Sequence, residues 1–203
     1  MNPTHRKKSV LDAFQMPNPM SITGRTSTIT NSFVSSIIPS RFPSESEVKE
    51  ALDILGLDSD DLRCAYCGGP STEWDHLRPL VRGKMPTGYI SEIANLVPAC
   101  GKCNQSKGKQ EWEAWMRSAA PKSPVSRGTP DLEKRIQRLK AFEKWKEVSP
   151  INFEAIVGSE LWEKHWRNNE QMHELMRECQ VLADLIRKKI QTSFESPNGV
   201  KSS

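Results

Sequence analysis

Two Cys-x-x-Cys pairs, Cys64-Ala65-Tyr66-Cys67 and Cys100-Gly101-Lys102-Cys103, frame the middle of this 203-residue chain. A C-x-x-C turn brings two thiolates within reach of one ion, and two such turns complete a tetrahedral shell. The spacing predicts a structural zinc site built from Cys64, Cys67, Cys100 and Cys103. A disulfide reading needs an oxidising compartment, and the chain shows no charged n-region with an apolar h-region at its start. It also has no apolar run long enough to cross a bilayer, so the expectation is a cytoplasmic protein without membrane attachment. Redox chemistry is the rival for a single C-x-x-C, but two pairs with a basic segment between them fit zinc better. Cys179 lies far outside and reads as a small apolar helix residue.

Length allows one good core, or a small catalytic core with helical additions. Hydrophobic residues make up 36% and charged residues 27%, a soluble profile, and the net charge of +4 is too small to name a partner. Its distribution says more. Residues 76–109 carry Arg78, Arg82, Lys84, Lys102, Lys107 and Lys109 against Glu92 alone, while residues 44–75 carry nine acids against Lys49 and Arg63. A basic stretch beside a metal site suits a phosphate-seeking surface, because each neutralised phosphate releases counterions. The same charges also suit an ordinary solvated face.

Three regions follow from the pattern along the chain. Residues 1–43 are rich in Ser, Thr, Asn and Pro, with a basic cluster at His5-Arg6-Lys7-Lys8, and read as an arm that stays disordered or orders against a partner or its own domain. Residues 44–120 open with a capping box, Ser44-x-x-Glu47, followed by Val48, Ala51, Leu52 and Leu55 at helical spacing until Gly56 stops the helix. Between the cysteine pairs, Trp74, His76 and Leu77 are expected on one short strand and Leu96 and Val97 on another. Trp112, Trp115 and Met116 make a short apolar face. Residues 121–203 are expected to be helical, after a linker over 118–130 with Pro121, Pro124, Gly128 and Pro130. One helix starts at Thr129-Pro130 with Leu132, Ile136, Leu139 and Phe142 on one side; a longer one runs from near Ser159 toward Gln191. Along the latter Trp162, Asn169, Met176, Ala183 and Ile190 recur every seven residues, interleaved with His165, Met172, Cys179 and Ile186, a heptad-like seam for self-association or for packing on the preceding helix.

The chemistry lies between the cysteine pairs. Asp75-His76-x-x-Pro79 is followed by Asn95-Leu96 and then by Cys100-x-x-Cys103-Asn104-x-x-Lys107-Gly108. Each piece alone says little; the ordered set resembles the HNH, or ββα-metal, endonuclease family over about residues 62–117. The resemblance implies an α+β fold, with a small zinc-stapled ββα-metal core, an N-terminal arm and a helical C-terminal extension. It also implies His76 as general base, Asp75 and Asn104 as ligands of a catalytic Mg²⁺ or Mn²⁺, and Asn95 as the residue that ties down the loop holding His76. These residue types suit phosphodiester hydrolysis, since imidazole accepts a proton near neutral pH and carboxylate and amide oxygens are hard ligands. Where many relatives have a final His, this chain has Asn104, which favours a hard cation over zinc at that place. Adjacent strand residues point to opposite faces, so Asp75 and His76 serve metal and water together only if the strand bends.

The leading expectation is a metal-dependent endonuclease acting on double-stranded DNA, sequence-specific in the manner of a restriction enzyme, with Arg78, Arg82, Lys84, Lys102, Lys107 and Lys109 as DNA-binding candidates. The longest helix would then support a homodimer. Nonspecific, nicking and homing nucleases share the same core. A zinc-dependent nucleic-acid binding module without catalysis is the alternative of a different class, though pure binding has no need of a base beside a metal ligand.

Overall fold

The computed structural model describes residues 17–195, so the basic cluster at residues 5–8 lies outside the described residues. The chain divides into two compact units, Thr28–Asn169 and a smaller one made of Met1–Ser27 with Glu170–Ser203. No helix among the described residues is long and apolar enough to cross a membrane.

The larger unit is α+β. Helix α1 (Thr26–Ser36) leads into α2 (Glu45–Leu55), which starts as its sequence requires. The Ser44 hydroxyl accepts from the Glu47 amide, the Glu47 carboxylate accepts from the Ser44 amide, and Gly56 ends the helix at φ 61°, a left-handed conformation that a side chain would resist. Arg41 and Lys146 also hold the Glu47 carboxylate. Strand β1 (Glu73–His76) pairs antiparallel with β4 (Leu96–Ala99), with Asp75 opposite Val97 and His76 opposite Leu96. Between them β2 (Val81–Arg82) and β3 (Met85–Pro86) make a tight hairpin whose two turn residues, Gly83 and Lys84, both have positive φ. The chain leaves β4 through Cys100 into α3 (Gly101–Lys107) and then α4 (Trp112–Met116). Helices α5 (Leu132–Trp145) and α6 (Phe153–Val157) follow, and α7 begins at Ser159.

The core explains this order. Ala51 and Leu55 of α2, Leu77, Val97 and Ala99 around the sheet, Trp112, Trp115 and Met116 of α4, and Ile136, Leu139 and Phe142 of α5 form one buried cluster. Tyr66 is buried within it, edge-on to Trp115 at 5.2 Å. The apolar face expected on α4 is therefore core. Part of the 1–43 segment is helical, with Thr30 and Val34 of α1 buried. Beyond α1, Ser40 bridges Ser91, fixed by hydrogen bonds from the Ser91 amide to Pro39 O and from the Arg41 amide to Ser91 O.

Helix α7 continues to Glu195. In the smaller unit the Gln180 side-chain oxygen accepts from the Ile22 amide at 2.7 Å and from the Ser21 hydroxyl at 3.2 Å. Of the seam, Asn169 and Met176 are buried, whereas Met172, Ile186 and Ile190 remain 41–52% exposed.

Candidate active site and metal centre

The cysteine pairs converge. The first pair sits in a turn closed by Gly68 N to Cys64 O and Cys64 N to Gly69 O, tied to β4 by Ala65 N to Pro98 O. The second pair opens α3, where Cys103 N and Asn104 N both reach Cys100 O at 3.0 Å. All four Sγ atoms lie within 4.8 Å of one another, and those of Cys67 and Cys100 are 3.8 Å apart. A tetrahedron with Zn–S arms of about 2.3 Å has edges of about 3.8 Å, so the four thiols fit one zinc ion. Their crowding points the same way. Cys67 is pulled far below the ordinary thiol range by hydrogen bonds from Cys103 and Cys64, while Cys103 is pushed far above it by Cys64 and Cys67. A shared cation would let all four ionise together.

From this staple β1 and α3 run side by side, and their side chains meet in two rungs. In the first, the Asn104 amide donates to the Glu73 carboxylate at 2.7 Å. In the second, the fully buried Lys107 places its ammonium 3.0 Å from Asp75 Oδ2 and 2.8 Å from the His76 carbonyl oxygen. The Tyr66 hydroxyl completes this rung with a 2.6 Å hydrogen bond to Asp75. Burial, reinforced by the Asp75 charge, raises the Tyr66 pKa well above 10, which keeps the phenol protonated and donating.

Strand alternation holds through the site: Asp75 is buried toward Tyr66 and Lys107, whereas His76 meets Ser91, with His76 Nε2 2.9 Å from Ser91 Oγ. Burial holds the His76 pKa below 6.5, with the Asp75 charge opposing and the Lys107 charge adding to the depression. The imidazole is thereby neutral at neutral pH and able to accept a proton.

Asn95 is fully buried. Its side-chain oxygen accepts from the Arg78 amide at 2.7 Å, and its amide donates to Arg78 O at 3.1 Å and to Ile90 O at 3.4 Å. With Leu77 N donating to Asn95 O, the chain just past His76 is clamped on both edges.

His76, Asp75 and Asn104 thus share the β1–α3 junction, but Asp75 and Asn104 are held by different partners. Their donors are oxygens of a carboxylate and an amide, a hard set suited to Mg²⁺ or Mn²⁺. Lys107 is a cation already seated on Asp75. Of the basic residues, Lys107 and Arg78 face inward: Arg78 donates to Glu143 O at 3.0 Å and lies over the Tyr89 ring. Neither is free for a phosphate, because each already has the acceptors its burial demands. Arg82 is exposed beside Glu111, and Lys84, Lys102 and Lys109 are exposed. Sequence reasoning missed Ser91, Glu73 and Tyr66. Glu73 alone had a local signal, its period-two spacing from Asp75.

A thiolate staple enclosing a two-stranded sheet and a helix, with an imidazole on the first strand, is the plan of a ββα nuclease core. Residues 64–110 match the family model for HNH endonuclease, so that segment of the chain is similar to this family. A curated protein similar to it, CRISPR-associated endonuclease Cas9 of Corynebacterium diphtheriae, is 31% identical over 90 residues. That match covers 36% of this chain and 8% of the length of the other protein. No solved structure gives a significant match.

Proposed function

We propose that this chain is a metal-dependent endonuclease that hydrolyses phosphodiester bonds in double-stranded DNA, with sequence specificity of the restriction type. The observation that carries the reading is His76, a neutral, half-buried imidazole held by Ser91 and adjacent to Asp75 inside the segment that matches HNH endonuclease. The name of the similar Cas9 endonuclease points to the same reaction class.

In this mechanism His76 takes the proton from the attacking water, and Ser91 fixes the plane of its ring. Asn95 sets the height of the His76 backbone by clamping Arg78, and Lys107 holds the His76 carbonyl from below. Asp75 and Asn104 would hold a divalent cation only by exchanging their present partners, Lys107 and Tyr66 on Asp75 and Glu73 on Asn104; the cation when bound supplies positive charge to the phosphate and to the leaving oxygen. Exposed Lys84, Lys102 and Lys109, with Arg82, supply the phosphate-backbone contacts that position a duplex.

The test is incubation of the purified chain with a long duplex and Mg²⁺ or Mn²⁺, followed by sequencing of the product ends, with RNA in parallel. Discrete ends on DNA support the proposal. Scattered ends or single-strand nicks replace the restriction-type part, and preferential RNA cleavage replaces the substrate. Intact DNA that is nevertheless bound by the zinc-loaded protein would favour a binding module.

A further inference from the structure

The loop over 118–130 is not a slack connection. Ser123 is fully buried, and its hydroxyl donates to Ser118 O at 2.6 Å. The backbone then turns back on itself, Val125 N to Met116 O at 3.1 Å, Arg127 N to Ser123 O at 3.2 Å and Gly128 N to Val125 O at 3.1 Å. This compact turn delivers Arg127 to the cysteine cluster, where Arg127 Nη2 lies 2.8 Å from Cys103 Sγ.

The Arg127 Nε is buried and makes no hydrogen bond. A guanidinium loses hydration there only if something offsets the cost, and the thiolates are the nearby negative groups. Four thiolates on one Zn²⁺ leave a net charge of about −2, and an N–H donor on a ligating sulfur withdraws electron density from it. A second guanidinium, that of Arg135, lies over Gly68 in the first cysteine turn, so close that a Cβ on Gly68 would fall 2.2 Å from its Nη2. Its Nε donates to Pro130 O.

We propose that Arg127 is a built-in counter-charge of the four-cysteine zinc site, shielding Cys103 Sγ from electrophiles and fastening the 118–130 loop to the cluster. The proposal rests on the zinc reading of the cysteines. Loss of Arg127 leaves the sulfurs more electron-rich and more nucleophilic, so that peroxide or maleimide attacks faster and zinc is lost sooner.

The experiment uses the full chain as wild type, Arg127→Gln, Arg127→Lys and Arg135→Gln, each first measured for zinc content by elemental analysis. Zinc release is then followed with a chromogenic chelator at fixed pH, with and without hydrogen peroxide. Arg127→Gln is expected to release zinc ~10–100-fold more readily, the usual range for losing a partner of a metal ligand. Arg127→Lys keeps the charge and falls between Gln and wild type, and Arg135→Gln behaves as wild type. A wild-type chain without zinc would overturn the zinc reading itself. Zinc-loaded Arg127→Gln with wild-type release, or Arg135→Gln matching its defect, would overturn the role of Arg127 alone. If Arg127→Gln does not fold, Arg127→Lys decides: a folded Lys variant with unchanged release overturns the proposal, and faster release supports it.

Discussion

Lys107 Nζ lies 3.0 Å from Asp75 Oδ2, with the lysine side chain wholly buried and the aspartate side chain 7% exposed. The same ammonium reaches His76 O at 2.8 Å and Gly108 O at 3.3 Å, so its three protons have three acceptors. One lysine on α3 thereby fixes both residues of the Asp-His pair.

Removing one partner of such a pair strands the other charge in the core. Lys107→Met is expected to destabilise the zinc-loaded chain by about 3–5 kcal/mol. Adding Asp75→Asn should recover part of that loss. Urea unfolding at fixed zinc concentration measures both, and a Lys107→Met midpoint equal to wild type would show that the pair carries no net stability.

His76→Ala is expected to lower cleavage by ~10²–10⁴-fold, the usual contribution of a general base. Zinc content and DNA affinity are expected to stay near wild type, because the hydrogen-bond partner of the ring is Ser91 and not a thiolate. Wild-type turnover in this variant would remove His76 from the mechanism.

The pH profile follows from the burial of His76. The imidazolium is poorly solvated there, so its proton leaves at lower pH than the ordinary value of 6.5. The base therefore remains available as pH falls through 6.5 and is lost only below it. The acid limb of kcat/KM should have its midpoint under 6.5; a midpoint above that value would mean that a neighbouring negative charge outweighs burial.

Cys64→Ser or Cys100→Ser should unfold the nuclease core, since structural zinc contributes ~10–16 kcal/mol of apparent binding free energy in small zinc domains. About one zinc per chain is expected by elemental analysis. Mg²⁺ does not substitute, because thiolates are soft ligands. Circular dichroism with and without a chelator gives the answer, and a zinc-free chain that stays folded contradicts it.

Dimerisation through α7 is tested best at Ile186, which is 50% exposed, and not at Met176, whose burial would confound the result. Ile186→Glu is expected to turn a wild-type dimer into a monomer by light scattering while leaving helix content unchanged. One His-based site cuts one strand, so a monomer should also accumulate nicked duplex. A wild-type monomer that cuts both strands without nicks would end the idea.

How far the sequence could be read depended on how far each partner lay along the chain. The capping box of Ser44 and Glu47, the stop at Gly56 and the two cysteine turns are local devices, and each was readable. The two strands and the helix after them were implied by the family resemblance, with the helix expected to start after Cys103, whereas α3 already starts at Gly101. What stayed hidden were choices between distant partners. Lys107 read as a surface cation because nothing near it in sequence says that Asp75 lies on the adjacent strand. Ser91 has no local signal, because its contacts to Pro39 O and His76 join segments far apart in the chain. Helix α1 escaped notice because its Ser and Thr residues favour caps and turns, and only Thr30 and Val34 mark its buried side. Arg127 sat in a stretch whose prolines and glycine signal only a break.

The Asn95 side chain does for the residue after His76 what a neighbouring strand would do, offering one acceptor and one donor to the Arg78 backbone. It comes from the far end of the excursion, immediately before β4. The strand that carries Asp75 and His76 is thus sealed at its exit by a cross-brace, and the hairpin of β2 and β3 hangs outside that brace. Chains built on this plan can lengthen, shorten or rewrite the hairpin without changing the register of His76. Novelty in what such an enzyme touches can arise there while the reacting strand stays where it is.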